Sequence, residues 1–180
     1  MPETYAGRKG RFMLEMREAI DSGSVAAPET SAAPPRRITI AFDGACLGNP
    51  GRGGYGAILV NETTGAEKIV KGRDRATTNN KMELSAAIAG LNTLRPGAVV
   101  TMLGDSQYVI RGITEWMPGW KLRGWRAAGG KPVANIELWR LLEAAVARHE
   151  TVAWTWVKGH AGHELNELVD RIARHEAARG

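Results

Sequence analysis

Three short β-patterned runs follow one another with only turn residues between them, and this succession limits the fold more than any other feature of the chain. Ile38-Thr-Ile-Ala-Phe42 is the first. Tyr55 to Val60 is the second, reached through a Gly-rich turn. Lys68 to Arg73 is the third, after the Thr64-Gly65 turn. Two hairpins in a row make these strands antiparallel neighbours. Helical and β periods then alternate. Lys81 to Leu94 reads as a helix closed by Arg95-Pro96-Gly97, Ala98 to Leu103 as a fourth strand, and Gln107 to Thr114 as a short helix. Residues 116–134 read as irregular, Asn135 to His149 as a helix, Val152 to Val157 as a fifth strand and Glu164 to Ala178 as a final helix. This order predicts an α/β domain with one five-stranded mixed sheet, its first three strands antiparallel, and helices on both faces.

Residues 1–35 stand apart. Phe12, Met16 and Ile20 recur at helical spacing, which predicts a short helix over 11–21. Ser22 to Pro35 is made of Ser, Ala, Pro, Thr and Glu and reads as a flexible linker, so the globular part is expected over 36–180. A chain of 180 residues suits one domain with an extension. Its 43% hydrophobic and 24% charged residues exclude disorder for the bulk of it. Cys46 is the only cysteine, which excludes an internal disulfide framework. No apolar run approaches the ~18 residues that span a bilayer, and the N-terminus lacks a secretory signal core. A cytoplasmic protein with no membrane contact is expected. The net charge of +5 and a pI near 9.7 favour an anionic partner such as nucleic acid.

The informative acids sit where strands end or helices begin, and each has a local reading of its own. Asp43 precedes Gly44, and Asp-Gly is a common turn pair. Asn80-x-x-Glu83 fits a capping box. Asp105 ends the fourth strand and opens a helix, as an N-cap does. Asp170 stands four residues before Arg174, at ion-pair spacing, off the stripe Leu165, Leu168, Val169, Ile172. Together they say more. If the first and fourth strands are sheet neighbours, Asp43 and Asp105 emerge at one edge, and Glu83 can join them from the helix that crosses the sheet. Crowded carboxylates raise one another's pKa unless a cation sits among them. Hard oxygen ligands suit Mg²⁺, and two such ions about 4 Å apart clamp the attacking and leaving oxygens of a phosphodiester.

Two other patterns lead nowhere. Gly51-Arg-Gly53-Gly54-Tyr-Gly56 fits G-x-G-x-x-G, but a dinucleotide fingerprint opens a helix, and here Ala57-Ile-Leu-Val60 continues as a strand. His160 and His163 suggest zinc, yet the single thiol and the hard oxygens around them do not suit it.

Four segments carry a family resemblance. Asp43-Gly-Ala-Cys46-Leu-Gly-Asn-Pro-Gly51 followed by Gly53-Gly-Tyr-Gly-Ala57, then Thr77-Thr-Asn-Asn-Lys-Met-Glu83-Leu, then Asp105-Ser-Gln-Tyr108-Val-Ile, then Trp156-Val-Lys-Gly-His160-Ala-Gly-His163 with Asn166 and Asp170, resemble in order the motifs of type 1 ribonuclease H. The match covers residues 38–175. It implies the ribonuclease H-like fold, hydrolysis of the RNA strand of RNA–DNA hybrids to 5′-phosphate and 3′-hydroxyl ends, and a monomer. It implies Asp43, Glu83, Asp105 and Asp170 as the carboxylates that hold two Mg²⁺ ions, with Mn²⁺ as a possible substitute. His160 is implied as the mobile group that assists proton movement or product release, a task suited to a pKa near working pH.

The resemblance also implies the substrate contacts. Glu83 and backbone groups at Gly44 and Cys46 would read the ribose 2′-hydroxyl. Asn49, Asn79 and Gln107 would touch bases or sugars in the minor groove, and Thr78 with Asn49 would hold a DNA-strand phosphate. Residues 116–134 resemble a basic protrusion found in some members, carrying Lys121, Arg123, Arg126 and Lys131. The same segment holds Trp116, Trp120 and Trp125, three of the six tryptophans. Cations there would neutralise phosphates, and the rings would pack on sugars or build a satellite core. Trp125 is expected to be the more buried, with Trp116 and Trp120 nearer the substrate. A catalytically silent hybrid-binding module, or a DNA-cutting relative such as an integrase or resolvase, are the competing readings.

Overall fold

The computed structural model describes residues 35–159 and 162–179. The helix expected over 11–21 and the linker before Pro35 lie outside the described residues, as does His160. The chain forms β1 (Arg37–Gly48), β2 (Gly51–Asn61), β3 (Glu67–Thr77), α1 (Asn79–Thr93) and β4 (Val99–Gly104). Next come α2 (Gln107–Arg111), a π turn (Gly112–Trp116) and α3 (Met117–Leu122). The order closes with α4 (Ile136–Val146), β5 (Thr151–Trp156) and α5 (Glu164–Ala178).

The sheet runs β3-β2-β1-β4-β5. The two hairpins are antiparallel, and β4 and β5 are added parallel to β1, so the expected mixed sheet is present. Alternation along β1 separates two cores. Ile38, Ile40 and Phe42 point to the larger, with Ala57 and Leu59 of β2 and with Leu84, Leu91, Trp139 and Leu142 of α1 and α4. Ala41 points to the opposite face, where it meets Ile58 of β2 and Val169 of α5. Helices thus cover both faces.

The Gly-rich stretch is strand rather than turn. β1 and β2 pair in register from Ile38↔Asn61 to Gly48↔Gly51, leaving only Asn49 and Pro50 to connect them. The missing side chains seat α5. A Cβ on Gly54 would lie 2.3 Å from the Ala177 backbone nitrogen, and one on Gly56 would lie 2.8 Å from Ile172. The segment expected to be irregular also differs. α2 continues through the π turn into α3, and Pro118, which has no N–H to donate, stands where the π turn gives way to α3.

The tryptophans of this segment build an aromatic cluster against the larger core. Trp116 packs on Tyr108 and Trp120 with ring centroids 6.3 and 5.9 Å apart. Trp120 packs on Trp139 at 5.3 Å. The Tyr108 hydroxyl accepts from Trp139 Nε1 and Asn135 Nδ2. Trp116, Trp120 and Trp125 are all half-buried, so the expected contrast between Trp125 and the other two is not seen.

Candidate active site

Strand register brings the first two acids together. The last β1–β4 pair is Ala41↔Leu103. Asp43 and Asp105 each stand two residues beyond it, on adjacent parallel strands and at the same level. Asp43 shares the alternation of Ala41 and so faces α5, which carries Asp170. Gly44 faces the other way, toward α1. A Cβ there would sit 2.3 Å from the Glu83 backbone nitrogen, so only glycine lets the first turns of α1 pack against β1. The four carboxylates come from β1, α1, the end of β4 and α5. They line one cleft of about 410 Å³, together with Gly44, Cys46, Asn79 and Arg174.

None of the local roles first open to Asp43, Glu83 or Asp105 is the one adopted. Asp43 lies inside β1, buried, and accepts from the Gly44 N–H at 2.7 Å. Thr78, not Asn80, caps α1, accepting from the Lys81 N–H. Glu83 is therefore the fifth residue of the helix, facing inward and buried. Ser106, not Asp105, caps α2. The Arg174–Asp170 pair does form, at 2.8 Å, and Asp170 still borders the cleft.

Neutral donors hold the acids in place. Ser106 Oγ donates to Glu83 Oε2 at 2.7 Å, and Asn79 Nδ2 donates to Glu83 Oε1 at 2.9 Å. Asn166, fully buried on α5, donates to Asp105 Oδ2 at 3.3 Å. Trp156 Nε1 donates to the Asp105 carbonyl at 3.0 Å. Ser106, Trp156 and Asn166 are expected only as members of the quoted motifs, and Arg174 only as the ion-pair partner of Asp170; none is expected as a site residue. The helix cap expected at Asp105 falls one residue later, on Ser106.

The electrostatics are unfavourable for bare carboxylates. Asp43 is pushed from 3.8 to about 8, chiefly by burial and next by the charge of Asp105; the Gly44 N–H opposes this, and Asp170 and Glu83 add to it. Glu83 is pushed from 4.5 to about 7 by burial and then by Asp105, against the hydrogen bonds from Ser106 and Asn79. Among the described residues no three acid, histidine or cysteine side chains converge tightly enough to coordinate one ion as they stand.

The other expected residues divide. Asn49 Oδ1 accepts from the Asn79 N–H at 3.3 Å, so Asn49, Thr78 and Asn79 form one polar corner at the start of α1, beside the cleft. Cys46 Sγ donates to the Thr77 carbonyl on the same side. Gln107 is exposed on the first turn of α2. Trp116 and Trp120 do not line the cleft. Lys121 is paired with Glu143 and borders a separate, largely apolar groove beside α3 and α4. Arg123 donates to the Arg126 carbonyl and Arg126 to that of Gly130, folding the segment on itself.

Residues 35–178 match the family model described as RNase H. The Ribonuclease HI of Pseudomonas syringae pv. tomato is 55% identical over 136 residues, 76% of this chain and 89% of that protein. The chain belongs to the type 1 ribonuclease H family. The Ribonuclease H of Paramagnetospirillum magneticum is 52% identical over 144 residues, 80% of this chain and 92% of that protein. The solved structure of LC9-RNase H1, a type 1 RNase H with the type 2 active-site motif, superposes with a TM-score of 0.73 at 32% identity, over 83% of this chain and 75% of that one. The protein is a ribonuclease H enzyme, which sets aside the silent module. Among its described residues no helix is long and apolar enough to cross a membrane.

Proposed function

We propose that this ribonuclease H is a metal-dependent endonuclease that hydrolyses the RNA strand of RNA–DNA hybrids, leaving 5′-phosphate and 3′-hydroxyl ends. The observation that carries the metal part is the cleft itself: four carboxylates from four elements share it, and burial has raised two of them. All donors are hard oxygens, and a divalent cation relieves both the repulsion and the desolvation. The donor set therefore fits Mg²⁺, with Mn²⁺ as a substitute, held by Asp43, Glu83, Asp105 and Asp170. Bound there, two such ions would supply a more acidic attacking water and charge neutralisation at the leaving oxygen.

The side chains around them position and select. Ser106 and Asn79 fix both oxygens of Glu83, and Asn166 and Trp156 fix Asp105 from its side chain and its carbonyl. Glu83 and the backbone at Gly44 and Cys46 face the ribose, where a 2′-hydroxyl both donates and accepts. Asn49, Asn79 and Gln107 reach the minor groove, and Thr78 with Asn49 holds a phosphate of the DNA strand. His160 assists proton movement or product release. Residues 116–134 act as a basic protrusion of the 36–180 catalytic domain, in which Trp116, Trp120, Lys121, Arg123 and Arg126 grip the hybrid. The residues before 36 are an extension to that domain, and the enzyme works as a cytoplasmic monomer.

The test is cleavage of a labelled hybrid, duplex RNA and duplex DNA, each with Mg²⁺ and with EDTA. Mg²⁺-dependent cutting confined to the RNA strand of the hybrid is expected. Cutting of duplex DNA, or cutting of the hybrid in EDTA, would refute the reading.

A further inference from the structure

Arg174 has no part in the chemistry above. Its Nε donates to Asp170 Oδ1 at 2.8 Å, one turn back along α5, and its side chain borders the carboxylate cleft. An ordinary helix pair at this spacing has both partners in water, as Arg111 and Glu115 do, with side chains 51% and 53% exposed. Here the carboxylate is sequestered and the cation reaches in from solvent: Asp170 is 20% exposed and Arg174 is 61%. Among the described residues lining the cleft, Arg174 is the single cation against four acids.

We propose that Arg174 is a resident counter-cation that neutralises Asp170 in the metal-free enzyme and sets the divalent-ion affinity of the cleft by competing for that carboxylate. This rests on the metal reading of the cleft given above. The physical case is direct. An oxygen that accepts a guanidinium N–H has less lone-pair density for a second cation, and two cations a few ångströms apart repel. Arg174 is largely solvated, so the effect is screened, and removing its charge should tighten metal binding by roughly three- to tenfold. A pair that only decorates the helix surface would leave metal affinity alone.

The experiment is a Mg²⁺ titration of the full chain without substrate, at constant ionic strength, followed by calorimetry. Wild type is compared with Arg174→Gln, Arg174→Lys and Asp43→Asn. Arg174→Gln should lower the Kd by about three- to tenfold, Arg174→Lys should stay near wild type, and Asp43→Asn should weaken binding more than tenfold. The Arg174 Nε–H resonance should move during the titration with the same midpoint. Suppose Arg174→Gln binds within twofold of wild type, or Arg174→Lys tightens binding as much as Arg174→Gln, while Asp43→Asn still weakens it. Then the role of Arg174 is overturned and the metal reading stands. If wild type shows no saturable binding that Asp43→Asn weakens, the metal reading fails and this inference falls with it.

Discussion

Replacing Asp43 by Asn should make the metal-free enzyme more stable. The folded protein pushes this carboxyl from 3.8 up to about 8, with burial as the main cause and Asp105 next. A carboxyl raised by folding keeps a proton that the unfolded chain releases, so native stability falls as pH rises between those two values. The penalty is absent below about pH 4 and complete above about pH 8. Each pH step inside that window costs about 1.4 kcal/mol, which comes to about 4 kcal/mol at pH 7. Asparagine keeps the shape and the acceptor for the Gly44 N–H, and removes the charge. Its amide NH₂ then needs a partner, at a cost of about 1–2 kcal/mol. A net gain of about 3 kcal/mol is expected at pH 7, shrinking to almost nothing near pH 5.

The assay is urea denaturation in EDTA at pH 5, 7 and 8, followed by circular dichroism. Mg²⁺ added in tenfold excess over its Kd should restore about 1.4 kcal/mol to wild type and much less to Asp43→Asn. If the variant is no more stable than wild type at pH 8, or if its advantage does not shrink toward pH 5, the desolvation argument for this cleft is wrong.

Other consequences can be checked separately. Glu83 is pushed up to about 7 and Asp43 to about 8, so protons compete with Mg²⁺ and the metal Kd should fall more than tenfold from pH 6 to pH 8; a pH-independent Kd would contradict this. Ser106→Ala removes both the α2 cap and a hydrogen bond that favours ionised Glu83. It should cost about 1–2 kcal/mol in urea melts and move the pH dependence of Mg²⁺ binding upward, with Ser106→Thr restoring both. Replacing Lys121, Arg123 and Arg126 together by alanine should weaken hybrid binding and flatten its salt slope by about three; an unchanged slope would remove the protrusion from the interface. Gly44→Ala would drive a Cβ into the backbone at Glu83 and should cost about 3 kcal/mol or more, with loss of cleavage; a stable, active variant would contradict the close packing.

The sheet was legible because antiparallel hairpins leave a period of two in the sequence. Its extent was not. β1 was expected to end at Phe42 and runs to Gly48, since glycines that look like a turn can be laddered when a helix needs their empty space. The helix at Gln107 was expected to stop before Trp116. A π turn carries it onward, and nothing local in Gly112–Trp116 announces that geometry. At the site, the acids were legible because in the sequence they follow apolar runs or stand beside turn and cap residues, although in the fold Asp43 lies inside β1 and Glu83 inside α1; their convergence followed from strand adjacency. The roles of Ser106 and Trp156 were not legible for the opposite reason, because their partners lie 23 and 51 residues away and only the fold brings them together. Arg174 was legible as the partner of Asp170 four residues back, but nothing in the sequence places that pair at the edge of the cleft.

The caps at Thr78 and Ser106 bear on why the acids are there at all. Each structural task open to Asp43, Glu83 and Asp105 is done by a neutral neighbour: Thr78 caps α1, Ser106 caps α2, and the Asn49-Pro50 connection makes the turn. The acids are left without a local structural task, and two of them cost stability where they sit. A chain shaped for folding alone has no use for buried, mutually repelling carboxylates. The cost becomes intelligible once a cation is added, because the same burial and repulsion that raise Asp43 and Glu83 are what a divalent ion relieves on binding. On the metal reading proposed above, stability surrendered in the metal-free protein would be recovered as affinity in the metal-bound one.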